Sequence, residues 1–453
     1  MATVLEKIAD HIVSRTSFSP VAMASAQEAV IDTIGCMLAG AADQAPQAVA
    51  RAFSGQIGAN GPPAILRGGQ SSPSVAALIN GTAAHCLDFD DNFHPARAHA
   101  SAVLVPALLS IATADAAISG RQFLHAYLAG LEAQAAVGFG VNPSHYNRGW
   151  HGTSTVGCIG TAAGVAILLG LNATEIAQAM SIATSSAAGP KGQFGTPTKP
   201  LHAGMAARNA VEAALLAQAG MSGRLDILER PQGFLDLFGG EACAGWQTLS
   251  MGDSHIIETH GLVTKLHPCC ASTHRAIDAA RDLQMEYDFC LDDVLSIETK
   301  LGRSAVDNLA YPDPVDEMQA RFSMQYCLAT ALYQGNLSLS DFTCAAIFRP
   351  EIRLHMPKIS MSAYHAAQEH GIERLPHHVT IDLRDGRRLK TERLHATGSV
   401  AVPLTAAERR SKFADCLRWA GLRAEKTHEA FLNFEDAASL KEMLNSFERS
   451  TAP

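Results

Sequence analysis

The sequence predicts a mainly α protein: a large all-helical domain joined to a smaller α/β domain. Three observations carry that reading. Apolar residues recur at helical spacing through roughly the first 250 positions, short alternating runs replace them near residue 260, and helical patterning returns after residue 400. A length of 453 residues is about three times a typical domain, so two or three domains with a sizeable core are expected. Apolar residues make up 47% and charged ones 17%, which excludes disorder as the main state and points to surface hidden in a subunit interface.

In chain order, Val4, Leu5, Ile8, Ile12 and Val13 mark one face of an opening helix. A Ser19-Pro20 start signal precedes Ala26, Val30, Ile34, Met37 and Leu38 at the same period. Segments 73–87, 101–116, 121–137, 154–170, 173–186 and 203–219, rich in Ala, Leu and small residues, are read as further helices. Gly157, Gly160 and Gly164 lie three and four apart, a spacing that means close helix packing far more often than a nucleotide loop. Farther on, Val294, Ser296, Glu298 and Lys300 alternate with Leu295, Ile297 and Thr299 as in a strand, and Ile352–Leu354 is a weaker candidate. Val379–Leu383 and Arg388–Leu394 flank Asp385-Gly386, a pair suited to a tight hairpin. Helical patterns at 273–284 and 322–334 sit among these strands, and Thr405 with Glu408 forms a capping box for a returning helix. The domains read as 1–261 all-helical, 262–400 α/β and 401–453 helical, so that the α/β unit is an insertion.

Function classes narrow quickly. Lys plus Arg number 35 against 44 Asp plus Glu, a net charge of -9, which disfavours a general nucleic-acid binder. The N-terminus carries acids early and lacks a signal-peptide core, and Gly, Ser, Thr and charges interrupt every candidate membrane span. Ten scattered cysteines, with only Cys269 and Cys270 adjacent, fit a reducing compartment, and a cytoplasmic location is expected. HExxH, the nucleophile elbow, the P-loop and a strand-borne GxGxxG are all missing, and Cys and His residues lack zinc-ligand spacing.

Four polar clusters stand out instead. His85–His99 packs three carboxylates and three histidines into fifteen residues, costly unless they pair or meet solvent. A carboxylate can fix an imidazole's tautomer for general-base work; the bland alternative is a capping loop, and a weaker one places Mg²⁺ on Asp90 and Asp91. Tyr146–Ser154 precedes a helix whose free N-terminus, with Thr153 and Ser154, suits a carboxylate. Gly195–Gly204 holds Lys199 between two prolines in a nearly uncharged neighbourhood, and Lys265–His274 lies at the domain junction, where small-ligand clefts concentrate. A nucleophilic Cys269 or Cys270 is a minor alternative, as no papain-like context surrounds them.

In "HCLDFDDNFHP", "GWHGTSTVG", "TKPLHAGMAARN" and "KLHPCCASTH", and over nearly the whole chain from "DTIGCMLAG" to "ARFSMQYCLA", the sequence resembles the MmgE/PrpD family, which includes 2-methylcitrate dehydratases, cis-aconitate decarboxylases and iminodisuccinate epimerases. The resemblance implies a large helical domain of rare fold, a smaller α/β domain, a homodimer, and chemistry without metal or organic cofactor. It places the active site on Asp88, Asn92, His99, His151, Lys199 and Lys265, with His94 and His274 matching frequent family residues. Two departures matter: Asn92 stands where Thr is usual, and Cys270 stands where the decarboxylase has histidine. The compact "FDDNFHPARAHAS" also differs from the longer segment of methylcitrate dehydratases and lies nearer the epimerase-like and decarboxylase-like branches.

The expected reaction is proton transfer beside a carboxylate of a small di- or tricarboxylate, most simply epimerisation of an iminodisuccinate-like acid. Dehydration of a methylcitrate-like hydroxy acid and decarboxylation of cis-aconitate are the alternatives, with a non-catalytic carboxylate-binding protein as the rival of another class. Lys199 and Lys265, with Arg148 or Arg97, are expected to clamp substrate carboxylates. His151 and His99 are the acid/base candidates, Asp88 the orienting carboxylate, and Tyr146 a second proton donor.

Overall fold

The computed structural model describes residues 2–444 apart from 64–68, 116, 241–242, 244, 248, 250, 371, 373 and 423–430. Its helical part begins with α1 (Val4–Ser14), started by a Thr3/Glu6 capping box, and α2 (Pro20–Gly40), capped by Ser19 with proline in its first turn. α3 (Gln44–Ala52) and a short strand, β1 (Gly58–Pro63), lead to α4 (Pro73–His85), α5 (Ser101–Ala112), α6 (Gly120–Val141) and the single turn α7 (Ser144–Asn147). Then come α8 (Val156–Leu168), α9 (Ala173–Thr184), α10 (Thr198–Gln218) and α11 (Ile256–Thr259). Every helix expected from periodicity is present. α10, however, opens five residues before the expected 203, which moves Lys199 from a loop into the first helical turn.

Small residues set the spacing of these helices. A Cβ on Gly160 would lie 2.4 Å from Gln134 N, and one on Gly164 would meet Gly130 Cα at 3.1 Å, so α6 and α8 touch backbone to backbone. Gly81 and Gly204 join α4 to α10 in the same way, a Cβ on Gly81 falling 2.9 Å from Gly204 Cα. This contact brings the C-terminal end of α4 beside the N-terminal end of α10. α2 is long and apolar enough to cross a membrane by length and mean hydropathy (1.2), contrary to the expectation from its interrupting residues. Most of it is buried here, Ala26, Val30 and Ile34 lying in the helical core.

The second part holds α12 (Ala271–Tyr287), β2 (Val294–Leu301), α13 (Arg303–Asn308), α14 (Glu317–Ala320), α15 (Met324–Gln334), β3 (Ile359–Ala363), β4 (His377–Leu383) and β5 (Arg388–Arg393). The sheet order is β3-β2-β4-β5, with β2 parallel to β3 and antiparallel to β4. β4 and β5 form the expected hairpin, with Gly386 at φ +91° in its turn. Ile352–Leu354 is not a strand: Pro350 opens a helical turn, Pro350–Arg353, and the edge strand lies seven residues later at β3. Ile297, Val379, Ile381 and Leu383 pack with Ala276, Ile277 and Leu283 of α12 into a second core. The returning helix Ala406–Trp419 starts at the expected Thr405/Glu408 capping box, and its Phe413 and Leu417 join the first core. Residues 423–430 and 445–453 of the expected return lie outside the described residues.

Candidate active site

The loop leaving α4 is the frame of the site. Two of its residues, Asp88 (φ +51°) and Arg97 (φ +47°), adopt the left-handed conformation that side chains other than glycine rarely take. Strain of this kind persists where surrounding contacts over-determine it. Around Asp88 those contacts come from far along the chain. Arg321 Nε donates to Leu87 O at 3.1 Å, Lys265 Nζ to Asp88 O at 2.8 Å, and Lys412 Nζ to Phe89 O at 2.8 Å.

Asp88, 2% exposed, carries the two lysines that the sequence singled out. Lys199 Nζ bonds its Oδ1, and Lys265 Nζ lies 3.2 Å from its Oδ2. Both lysines are buried, and Lys199 also faces the rings of Phe322 (5.0 Å) and Phe194 (5.3 Å). Burial opposes ionisation of Asp88, but Lys199 and Lys265 outweigh it and hold its carboxyl well below the usual range. On Lys265, burial is likewise outweighed by Asp88 and Asp90, and the ammonium is retained.

Asp90 arranges the imidazoles. Its Oδ2 lies 2.9 Å from His85 Nδ1 and 3.1 Å from His99 Nδ1. Burial of Asp90 is overcome by these two rings, so the carboxylate is ionised and His85 Nδ1 donates to it. That tautomer leaves the His85 Nε2 lone pair free to accept. His99 Nε2 stands 4.0 Å from Asp88 Oδ1, and His85 Nε2 has no partner among the described residues. His151 stacks at 5.6 Å from His85 and shares a 3.2 Å contact with His202 through Nδ1, while its buried Nε2 is likewise unpartnered. Burial, then neighbouring imidazoles and Lys199, press His151 well below the ordinary histidine range, so it is neutral at pH 7. His85 is lowered to about 3 by burial, and His202 to about 4.

The other expected residues divide. Tyr146 is half-buried on α7, and its hydroxyl accepts from Asn308 Nδ2 at 3.2 Å. Arg97 lies 5.9 Å from the centre of the Tyr146 ring. Asn92 pairs its backbone with Val263 across the domain junction and keeps a buried Nδ2 without a partner among the described residues. His94 is exposed, among Arg374, Arg97 and Arg275. Arg148 is not brought in: it is exposed, its side chain lying against Gly240 because α7 turns it outward. His274 faces away too, with Nε2 3.1 Å from Cys269 O and its ring 5.1 Å from His267. Thr153 Oγ1 accepts from the His99 N–H, which leaves its own hydroxyl proton free to donate, and Ser154 Oγ donates to His202 O.

His85, Asp90 and His202 belong to the site although only their clusters, not their roles, were legible. Lys191 lay in no cluster. Its Nζ sits 3.8 Å over the Tyr146 ring, and burial lowers its pKa to about 8. Only the fold brings it there. Asp91 departs from the expected Mg²⁺ pair: it bonds the Ser101 hydroxyl and amide, and burial raises its pKa to about 7. His85, Asp88, Asp90 and His99 do offer ligand atoms within 4.8 Å of one another. Two ammonium groups already occupy Asp88, however. Each would repel a divalent ion by several kcal/mol at an effective dielectric of about 20. The donor set suits protons and anions better than a metal.

Comparison with known proteins agrees with this geometry. Residues 6–247 match the model of the MmgE/PrpD N-terminal domain, and residues 267–436 that of the C-terminal domain. Cis-aconitate decarboxylase of Mus musculus is 30% identical over 75% of this chain and 71% of its own length. The Homo sapiens protein of that name is 29% identical over 75% and 72%. A mitochondrial 2-methylcitrate dehydratase of Yarrowia lipolytica is 27% identical over 84% and 77%. With both halves matched in order and the lysine-bearing site at their junction, the chain belongs to the MmgE/PrpD family.

Proposed function

We propose that this chain is a cofactor-independent enzyme that removes a proton beside a carboxylate of a di- or tricarboxylate, and that the substrate is epimerised, as an iminodisuccinate-like acid would be. The observation that carries the deprotonation is His151 Nε2, a buried nitrogen without a partner among the described residues, on a neutral ring next to Lys199. It takes the Cα proton; the electron pair left behind moves onto the substrate carboxylate, where Lys199 and Lys265 stabilise the charge. His99 and His85, oriented by Asp90, are further acceptors. Lys191 and Arg97 receive the distal carboxylate, and Tyr146, on the wall shared with Asn308, returns a proton to the other face. In this scheme the helical segments 1–261 and 401–453 supply the bases, and the α/β segment 262–400 closes the opposite wall.

The second reading is a lyase, in which loss of water or carbon dioxide passes through a carbanion stabilised in the same way. The names of the relatives favour it; Cys270, standing where the decarboxylase resemblance expects histidine, weighs against its decarboxylating form. Proton NMR in D2O with iminodisuccinate, methylcitrate and cis-aconitate separates these readings. Loss of a Cα proton signal with diastereomer interconversion supports epimerisation, an olefinic signal dehydration, and carbon loss decarboxylation. Lys199→Ala and His151→Ala are expected to abolish turnover while the fold persists; near-wild-type turnover in both overturns the site.

A further inference from the structure

Three successive backbone carbonyls, those of Leu87, Asp88 and Phe89, each accept a hydrogen bond from a different buried cation. The donors lie 234, 177 and 323 residues away in sequence: Arg321, Lys265 and Lys412. All three are at most 4% exposed. Carbonyls that leave a helix C-terminus lack intrahelical donors, and cations there also complement the helix dipole. The end of α4 at His85 is buried, and the carbonyls of the loop it feeds are met by cations.

We propose that Lys412 and Arg321 are positioning residues of the active site, which hold Phe89 O and Leu87 O so that Asp88, between them, stays in the left-handed conformation that presents its carboxylate to Lys199 and Lys265. The proposal rests on the reading of the Asp88 loop given above. Lys412 is more than the counter-charge of Asp32. Its Nζ is 2.8 Å from Asp32 Oδ2 and equally 2.8 Å from Phe89 O, and it stands 4.3 Å over the Phe89 ring. Arg321 has no carboxylate within 4.0 Å among the described residues. Its guanidinium is taken up by Leu87 O, by Glu317 O at 3.1 Å and by the Phe342 ring at 5.1 Å. It also joins the loop to the Lys265 segment, since its own carbonyl accepts from Cys270 N at 2.9 Å.

The test must separate tethering from charge balance. Removing Lys412 alone strands a buried Asp32, so the informative pair is Asp32→Asn and the double variant Asp32→Asn/Lys412→Met. The single variant keeps the Phe89 tether and is expected to retain KM within about threefold of wild type. The double variant, with a melting temperature close to that of Asp32→Asn, is expected to raise KM roughly tenfold or more, because the lysines that grip substrate are no longer set by Asp88. A role in stability alone lowers the active fraction and leaves KM unmoved. An unchanged KM in the folded double variant overturns the proposal. Should that variant not fold, Arg321→Lys replaces it: charge is kept, the planar donor to Leu87 O is lost, and the same rise in KM is expected, with an unchanged KM overturning the proposal. Lys199→Ala is run alongside. If it remains active, the site reading itself fails; if it is dead while KM is unchanged in the variant tested, only the tether fails.

Discussion

Asp88 and Asp91 stand three residues apart in one loop and are equally buried, each 2% exposed, yet their ionisation is shifted in opposite directions. Asp88 meets two ammonium groups and stays ionised; Asp91 meets a serine hydroxyl, itself 2.7 Å from Tyr127 Oη, and is raised to about 7. Burial alone pushes both carboxyls up. What decides the outcome is whether a cation arrives from elsewhere in the fold, so two aspartates in one short motif differ: one holds two ammonium groups, the other packs against hydroxyls and titrates near neutral pH.

The comparison breaks most sharply at Asp88. Asp88→Asn leaves Lys199 without its carboxylate partner and Lys265 with only Asp90 farther off, and unfolding in urea is expected to show a loss of about 3–5 kcal/mol. Turnover should fall roughly a thousandfold, beyond what the loss of folded protein explains. Asp91→Asn should behave in the opposite sense. Because the folded pKa of Asp91 lies above its ordinary value, the wild type loses stability as pH rises from about 4 through 7. Asp91→Asn escapes that loss and should be the more stable protein at pH 8, by a few kcal/mol at most, with the difference vanishing near pH 4. His85 gives the reverse slope: its folded pKa of about 3 lies below the ordinary 6.5, so stability present above pH 6.5 is lost as pH falls toward 3. His85→Asn should flatten that acid limb in melting curves. The smallest effect is expected at the rim, where Lys191→Met should raise KM a fewfold with little change in kcat. In the wild type, KM should rise above pH 8 as Lys191 loses its proton.

Much of this was legible in the sequence, for physical reasons that also explain the failures. Amphipathic burial marks α1, the Ser19-Pro20 start marks α2, and Asp385-Gly386 marks its hairpin because the turn demands a glycine. β3 is five residues of mixed Ile, Ser, Met and Ala, too short for alternation to register, so the strand was expected at Ile352–Leu354 instead. Pro200 made Lys199 look like a loop residue, although proline in a first helical turn costs no hydrogen bond. Asp88, His99, His151, Lys199 and Lys265 share motifs that survive as strings. Arg148 stands immediately before one of these strings and points away. Lys191 and Lys412 have no local signal, and Arg321, although it lies inside "ARFSMQYCLA", has none for its contacts, since these partners are supplied entirely by tertiary structure.

The three carbonyl tethers also bear on how the protein is made. A ribosome releases the Asp88 loop early, together with most of the helical core, but the loop's last donor, Lys412, is 323 residues downstream of Phe89. Contacts of such sequence separation are slow to close and form late. A nascent chain, or a fragment cut after the α/β segment, would therefore carry Asp88, Lys199 and Lys265 and still lack one of the three donors that meet the Asp88 loop. The helical core waits on the returning helix as well, since Phe413 and Leu417 of that helix belong to the core.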